Sequence, residues 1–153
     1  MKTITVHASC VAFGSKAVLI RGIPGSGKSD IVLQLIDGQG YGLGTKLLRA
    51  KLVADDQVVL QRIKDDIVVT TPDTIKGKVE IRGRGIVSVP HKVKAKLIGI
   101  VDLRPQVEIE RMPEPHDMQV DILELSFPLC YIDPTAPSAA ARIRSFLTEL
   151  HST

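Results

Sequence analysis

The sequence predicts an α/β fold in one domain spanning residues 1–153, with a strand-rich, mixed sheet and few helices. Three observations predict it. Short β-type apolar runs fill the first two thirds of the chain. Only two segments carry apolar residues at helical spacing. The length, 153 residues, sits at the top of the usual single-domain range, and no linker, repeat or low-complexity tract divides it. Apolar residues make up 44% and charged residues 24%, the balance of a chain that can bury a core.

The elements follow in order. Ile4–Ser9 and Cys10–Phe13 read as strand, and Ala17–Arg21 is a compact apolar strand broken by Gly22–Gly27. From Lys28 to Ile36 the apolar residues Ile31, Val32, Leu35 and Ile36 fall on one helix face. Gly38, Gly40, Gly42 and Gly44 end that helix, so a flexible loop is expected after it. Leu52-Val53-Ala54 is a buried-type strand leading to Asp55 and Asp56. Val58–Ile63 and Ile67–Thr70 flank Lys64-Asp65-Asp66 as a hairpin. Leu97–Leu103 and Val120–Phe127 are further strands. After Pro137, Ile143, Phe146, Leu147 and Leu150 stand at i, i+3, i+4 and i+7, one face of a closing helix.

Composition excludes several function classes. Twenty Lys+Arg against seventeen Asp+Glu leave a charge of +3, too mild to imply a nucleic-acid binder. Trp is absent, and Phe and Tyr together number five, too few for a base-stacking platform. No apolar run approaches the ~20 residues of a membrane helix, and Met1–Phe13 lacks a signal-peptide core. Cys10 and Cys130 form neither a disulfide framework nor a metal quartet. The expectation is a reduced, cytoplasmic protein that binds no membrane and no nucleic acid.

Residues Gly22-Ile23-Pro24-Gly25-Ser26-Gly27-Lys28-Ser29 fit the phosphate-loop pattern G-x-x-x-x-G-K-S. The spacing has a chemical reason. Glycines let the loop turn around an anion with backbone N–H groups pointing inward, and the following helix aims its positive end at the same place. Lys28 reaches the β- and γ-phosphates, and Ser29 offers a hydroxyl to Mg²⁺. Roughly one random chain in two hundred of this length contains the pattern. An apolar strand before it and an amphipathic helix after it favour nucleotide phosphate over coincidence.

Such a site needs a carboxylate for Mg²⁺ and a group to position the nucleophile. Asp55 and Asp56 end an apolar strand, where adjacent side chains point to opposite faces and divide two roles, metal and base. The competing reading is a solvated turn. Glu80-Ile81-Arg82-Gly83-Arg84-Gly85-Ile86 is the next unusual stretch, with glycines for close backbone approach and arginines for charge. Between Lys76 and Lys96 stand seven Lys/Arg and one acid, Glu80, a candidate metal or hydrogen-bond partner. Lys92, Lys94 and Lys96 alternate like the solvated face of an edge strand. His7 lies in an early strand, where packing is the commoner role. His91, His116 and His151 lack metal-ligand spacing.

Taken in order, these motifs resemble the catalytic domain of HPr kinase/phosphorylase. The resemblance rests on His7 fifteen residues before the loop, on Gly22–Ser29, on Leu52-Val-Ala-Asp-Asp56-x-Val58, and on Glu80-Ile-Arg-Gly-x-Gly-Ile86. It runs from His7 to Val89, and more weakly to about residue 145. It implies a phosphate loop on a fold apart from most P-loop proteins and similar to the nucleotide site of phosphoenolpyruvate carboxykinase.

The resemblance also implies roles. Gly22–Ser29 bind ATP, Lys28 holds the transferred phosphate, and Ser29, Glu80 and Asp55 serve Mg²⁺. Asp56 is the base toward a serine hydroxyl of HPr and the acid in the reverse reaction. His7 matches an active-site histidine, and Arg111 a later active-site arginine. Val79–Ser88 correspond to a segment important for both activities. The implied enzyme is an ATP-dependent serine protein kinase acting on HPr in regulation of the phosphotransferase system. By resemblance it is a hexameric homo-oligomer.

Three departures accompany the resemblance. The longer members carry an N-terminal regulatory domain, and this chain looks like the short form of α-proteobacteria without one. Gly38–Lys51 expands a connection that is tight in the longer members, suggesting a mobile loop near the nucleotide. No Lys or Arg occurs between Arg111 and Arg142, whereas the longer members have arginines where this chain reads Pro128–Pro134. The expectation is a kinase with weak or absent phosphorolysis. The alternatives are a small-molecule P-loop kinase, which usually needs an Arg-rich lid, and a non-catalytic nucleotide-sensing module.

Overall fold

A computed structural model describes residues 2–151, with the side chain of His151 outside the described residues. Eleven strands and two α-helices are arranged along it: β1 (Thr3–Val6), β2 (Ser9–Phe13), β3 (Lys16–Arg21), α1 (Lys28–Asp37), β4 (Lys51–Ala54), β5 (Val58–Ile63), β6 (Asp66–Thr70), β7 (Lys78–Ile81), β8 (Gly85–Ser88), β9 (Ala95–Leu103), β10 (Gln119–Ile122), β11 (Leu125–Ile132) and α2 (Ala139–His151). The expected mixed, strand-rich α/β architecture with few helices is what the chain forms.

The main sheet runs β1-β5-β6-β9-β3-β2-β4. Strand β9 organises it. One edge pairs in parallel with β3, and the other pairs antiparallel with β6 at Ala95 and Lys96, then in parallel with β11 from Ile100 to Leu103. Three parallel strands, β3, β9 and β11, therefore end side by side at Arg21, Leu103 and Ile132. Crevices beyond the carboxyl ends of parallel strands are where open α/β sheets hold ligands.

Period-2 alternation divides the core. Val11 and Phe13 of β2 face one cluster and Cys10 and Ala12 the other. The first cluster joins the sheet to α1 through Ile31, Val32, Leu35 and Ile36, and to α2 through Ile143, Phe146 and Leu147. These are the apolar stripes that the helical spacing predicts. The second cluster is closed by strands, with Leu60 of β5, Val69 of β6 and Phe127 of β11 packed on Leu19 and Ile100.

Four local expectations are corrected. Val120–Phe127 is a hairpin, because Leu123 and Glu124 both adopt positive φ (50° and 69°) and turn the chain between β10 and β11. Ile4–Ser9 is interrupted by a bend at His7, so His7 lies outside the strand. Lys92 and Lys94 belong to no edge strand: the Lys92 N–H bonds the Leu52 carbonyl, its Nζ bonds the Gly14 carbonyl, and only Lys96 lies in a strand, the central β9. The Gly38–Lys51 connection packs on α2. A Cβ at Gly42 would lie 2.4 Å from the Arg144 backbone carbon, so glycine there serves close approach as well as its φ of 56°. The loop leaves the C-terminal end of α1, away from the phosphate-loop end.

Candidate functional site

The Gly22–Gly27 stretch joins β3 to α1, and its shape follows from glycine. Gly25 and Gly27 adopt φ of 80° and 101°, a region costly for other residues. Gly27 caps α1 with no side-chain hydrogen bond, so the first N–H groups of the helix remain available to an anion. Lys28 is 9% exposed. Its Nζ donates to the carbonyls of Gly22 (2.9 Å) and Ile23 (3.2 Å), which straps the loop around the ammonium.

Opposite the loop, β4 delivers two carboxylates. The expectation that Asp55 and Asp56 point to opposite faces of a strand is corrected. Strand β4 ends at Ala54, and Asp56 takes a φ of 69° in the following bend. That turn breaks the alternation, and both acids border one cavity of about 400 Å³ with Lys28, Ser29 and Glu80.

Asp55 is the hub. Its Oδ1 accepts hydrogen bonds from Ser9 Oγ at 2.9 Å and Ser29 Oγ at 3.3 Å, and its Oδ2 accepts the Glu80 N–H at 3.4 Å. Three elements distant in sequence thus meet on one carboxylate. Ser9 is fully buried and its Oγ also accepts the Asp56 N–H at 3.3 Å. The sequence reading missed Ser9. Its role depends on the β2–β4 pairing that sets Cys10 against Ala54.

The Ser29 hydroxyl, the Asp55 carboxylate and the Glu80 side chain are hard oxygen donors of the kind Mg²⁺ takes, usually one or two carboxylates completed by phosphate and water. Among the described residues no cluster of three or more His, Cys, Asp or Glu side chains gathers to hold a metal alone. The donor set fits an ion shared with a bound phosphate.

Glu80 and Arg82 enter from the β7–β8 hairpin, whose register pairs Glu80 with Ile86. Gly83 and Gly85 turn it at φ of 87° and 103°. His7 and Arg111 are both exposed, His7 in the bend before β2 and Arg111 in the 104–118 excursion, and neither lines the cavity.

A second cavity, of about 580 Å³, borders the other flank of the loop at Gly22, Ile23 and Ser26. At its base Arg21 and Asp102 form a two-point ion pair, with Nε to Oδ1 at 2.7 Å and NH2 to Oδ2 at 2.9 Å. The hydrogen bond to Asp102 holds the Arg21 guanidinium above its ordinary pKa, against partial burial. Arg104 lies over the Tyr131 ring at 4.6 Å. None of Arg21, Asp102, Arg104 or Asp133 carries a motif, so the sequence offered no signal for this cavity.

Comparison with known proteins places the chain among relatives of one kind. The chain is 35% identical over 111 residues to an HPr kinase/phosphorylase of Peptoclostridium acidaminophilum, covering 72% of this chain and 31% of that protein. It is 33% identical over 131 residues to one from Burkholderia lata, covering 79% and 37%. The chain thus spans about a third of the length of these relatives. Among solved structures, the HPr(Ser) kinase/phosphatase from Coxiella burnetii matches with a TM-score of 0.79 at 22% identity, over 97% of each chain, and shares the fold. No described helix is long and apolar enough to cross a membrane. The model of the family described as HPr Serine kinase C-terminal domain matches residues 1–132, and the chain belongs to that family.

Proposed function

We propose that this chain is an ATP-dependent serine protein kinase that phosphorylates a serine of the phosphocarrier protein HPr. One observation carries the reading: Lys28, Ser29, Asp55, Asp56 and Glu80 border a single cavity at the phosphate loop, with Asp55 joining the loop to the β7–β8 hairpin.

The roles follow from position. Backbone N–H groups of Gly25–Ser29 receive the β- and γ-phosphates of ATP, in a nucleotide site similar to that of phosphoenolpyruvate carboxykinase. Lys28 exchanges its carbonyl partners for the transferred phosphate. Ser29, Asp55 and Glu80 hold the magnesium ion, which supplies charge neutralisation on the phosphates when bound. Asp56 takes the proton of the attacking serine hydroxyl while the loop holds the phosphorus in line. Catalysis of this kind is positioning and electrostatics more than covalent chemistry. His7 and Arg111, the active-site histidine and arginine that the resemblance implies, stand outside the cavity.

The reverse reaction, attack of inorganic phosphate on phosphoserine to yield pyrophosphate, is weak or absent in this proposal. Support comes from the stretch between Arg111 and Arg142, which has no Lys or Arg. Rapid release of pyrophosphate from phosphoserine-HPr and phosphate would overturn that part. A cytoplasmic location and a hexameric assembly complete the proposal, with no membrane or nucleic-acid partner.

The test is incubation of the pure protein with γ-labelled ATP, Mg²⁺ and HPr from the same cell, beside an Asp56→Asn variant. Label on an HPr serine, lost in the variant, is expected. ATP bound with label nowhere overturns the kinase reading in favour of a nucleotide-sensing module or a small-molecule kinase.

A further inference from the structure

The 580 Å³ cavity on the far flank of the loop has no part in the chemistry assigned above, yet three features tie it to the nucleotide. It lies just beyond the carboxyl ends of β3, β9 and β11, and its walls are the residues that follow those ends: Gly22 and Ile23, Arg104 and Pro105, Pro134 and Thr135. Gly22, Ile23 and Ser26 belong at once to its lining and to the phosphate loop. Pro134 closes on the loop itself, since a Cβ at Gly27 would lie 3.0 Å from the Pro134 Cβ.

The lining chemistry selects the occupant. Arg21 and Arg104 face Asp102, Glu108 and Asp133, two cations against three carboxylates, and Arg21 is taken up by Asp102. A second anion is therefore disfavoured. Ile23 is 77% exposed and with Leu103, Pro105 and Pro134 gives the cavity apolar walls. The Arg104 guanidinium, held over Tyr131, supplies a planar surface of the kind that stacks on aromatic bases. The Asp133 carboxylate, oriented by Thr135 and the Gln106 N–H, and Glu108 supply acceptors for an exocyclic amine and for hydroxyls. The volume lies in the range of small-ligand sites.

We propose that this cavity receives the base and ribose of the nucleotide whose phosphates occupy the neighbouring loop. The inference rests on the reading of Gly22–Ser29 as an ATP site and adds to it the residues that discriminate ATP from bare polyphosphate.

The test uses the full chain and two ligands, ATP and inorganic tripolyphosphate, each with Mg²⁺, titrated by calorimetry. Thr135→Trp fills the cavity mouth, and Glu108→Trp, at an exposed rim position, covers the case in which the first variant fails to fold. Both are expected to weaken ATP binding at least about tenfold and to leave tripolyphosphate unchanged. The chain has no Trp of its own, so the new indole also reports the base directly: its fluorescence should change with ATP and not with tripolyphosphate. ATP affinity unchanged in the variants, or both ligands weakened equally, overturns the proposal. A change of oligomeric state with ATP affinity intact assigns the cavity to a second copy of the chain and also overturns it. If the unsubstituted chain binds neither ligand, the phosphate-loop reading fails, and this one with it.

Discussion

The Ser9 hydroxyl donates to Asp55 Oδ1 at 2.9 Å and accepts the Asp56 N–H at 3.3 Å. One buried serine on β2 thus orients the carboxylate assigned to the metal and pins the backbone of the residue assigned as base. Ser9→Ala removes the donor and leaves the Asp56 N–H without its partner. A lost hydrogen bond to a buried group costs about 1–3 kcal/mol, so the urea midpoint should fall accordingly. The Mg²⁺ concentration for half-maximal phosphotransfer should rise as well. A positional role is overturned if stability drops while the Mg²⁺ dependence stays unchanged.

Lys28 is strapped to the Gly22 and Ile23 carbonyls at 2.9 and 3.2 Å. Lys28→Met removes the charge that is to meet the transferred phosphate and retains most of the apolar stem. Phosphotransfer should fall by about 10²–10³, the usual cost of removing one charge-stabilising group, and tripolyphosphate affinity should fall with it. A variant with normal turnover, measured by label transfer to HPr, would remove Lys28 from the chemistry.

How much of this was legible depended on sequence distance. The phosphate loop, both helices and the β5–β6 hairpin are local patterns, and local spacing revealed them. The Asp55–Asp56 pair was visible as residues, but its shared orientation was not, because it arises from the positive φ of Asp56. The β10–β11 turn was hidden because Leu123-Glu124 lacks the Gly or Asn that such turns favour, so one β-type run concealed two strands. Ser9 was invisible because its partner lies 46 residues away and contact requires the β2–β4 register. The second cavity forms where β3, β9 and β11 end together, and periodicity does not say which strands are neighbours.

Lys64 holds a φ of 58° at the tip of the β5–β6 hairpin, where Ile63 pairs with Asp66 across a two-residue loop. A left-handed conformation costs an L-residue roughly 1–2 kcal/mol, and Lys64 is exposed. Lys64→Gly should therefore stabilise the chain by about 0.5–1 kcal/mol, after the added chain entropy of glycine in the unfolded state is set against the relieved strain. Denaturant midpoints compare the two proteins. A fall in stability would mean that the lysine stem contributes more than its backbone costs.

The two free thiols make stability fall at alkaline pH. Burial pushes the fully buried Cys10 thiol well above its ordinary range. It also pushes the Cys130 thiol from 9.0 up to about 11, with the Glu149 charge adding to burial and Arg142 opposing it. Above pH 9 the unfolded chain releases these protons while the folded chain keeps them, so the unfolded state binds fewer protons and stability declines as pH rises. Below pH 9 both states are protonated and the contribution is fully present. At pH 10 the loss should reach about 1 kcal/mol per thiol. Urea midpoints at pH 8 and pH 10 read it, with Cys10→Ala/Cys130→Ala as the comparison. A cavity left at Cys10 lowers the double variant equally at both pH values, so the quantity that decides is the difference between them. That difference should be smaller in the variant by about 2 kcal/mol, and an unchanged difference would assign the alkaline loss to other groups.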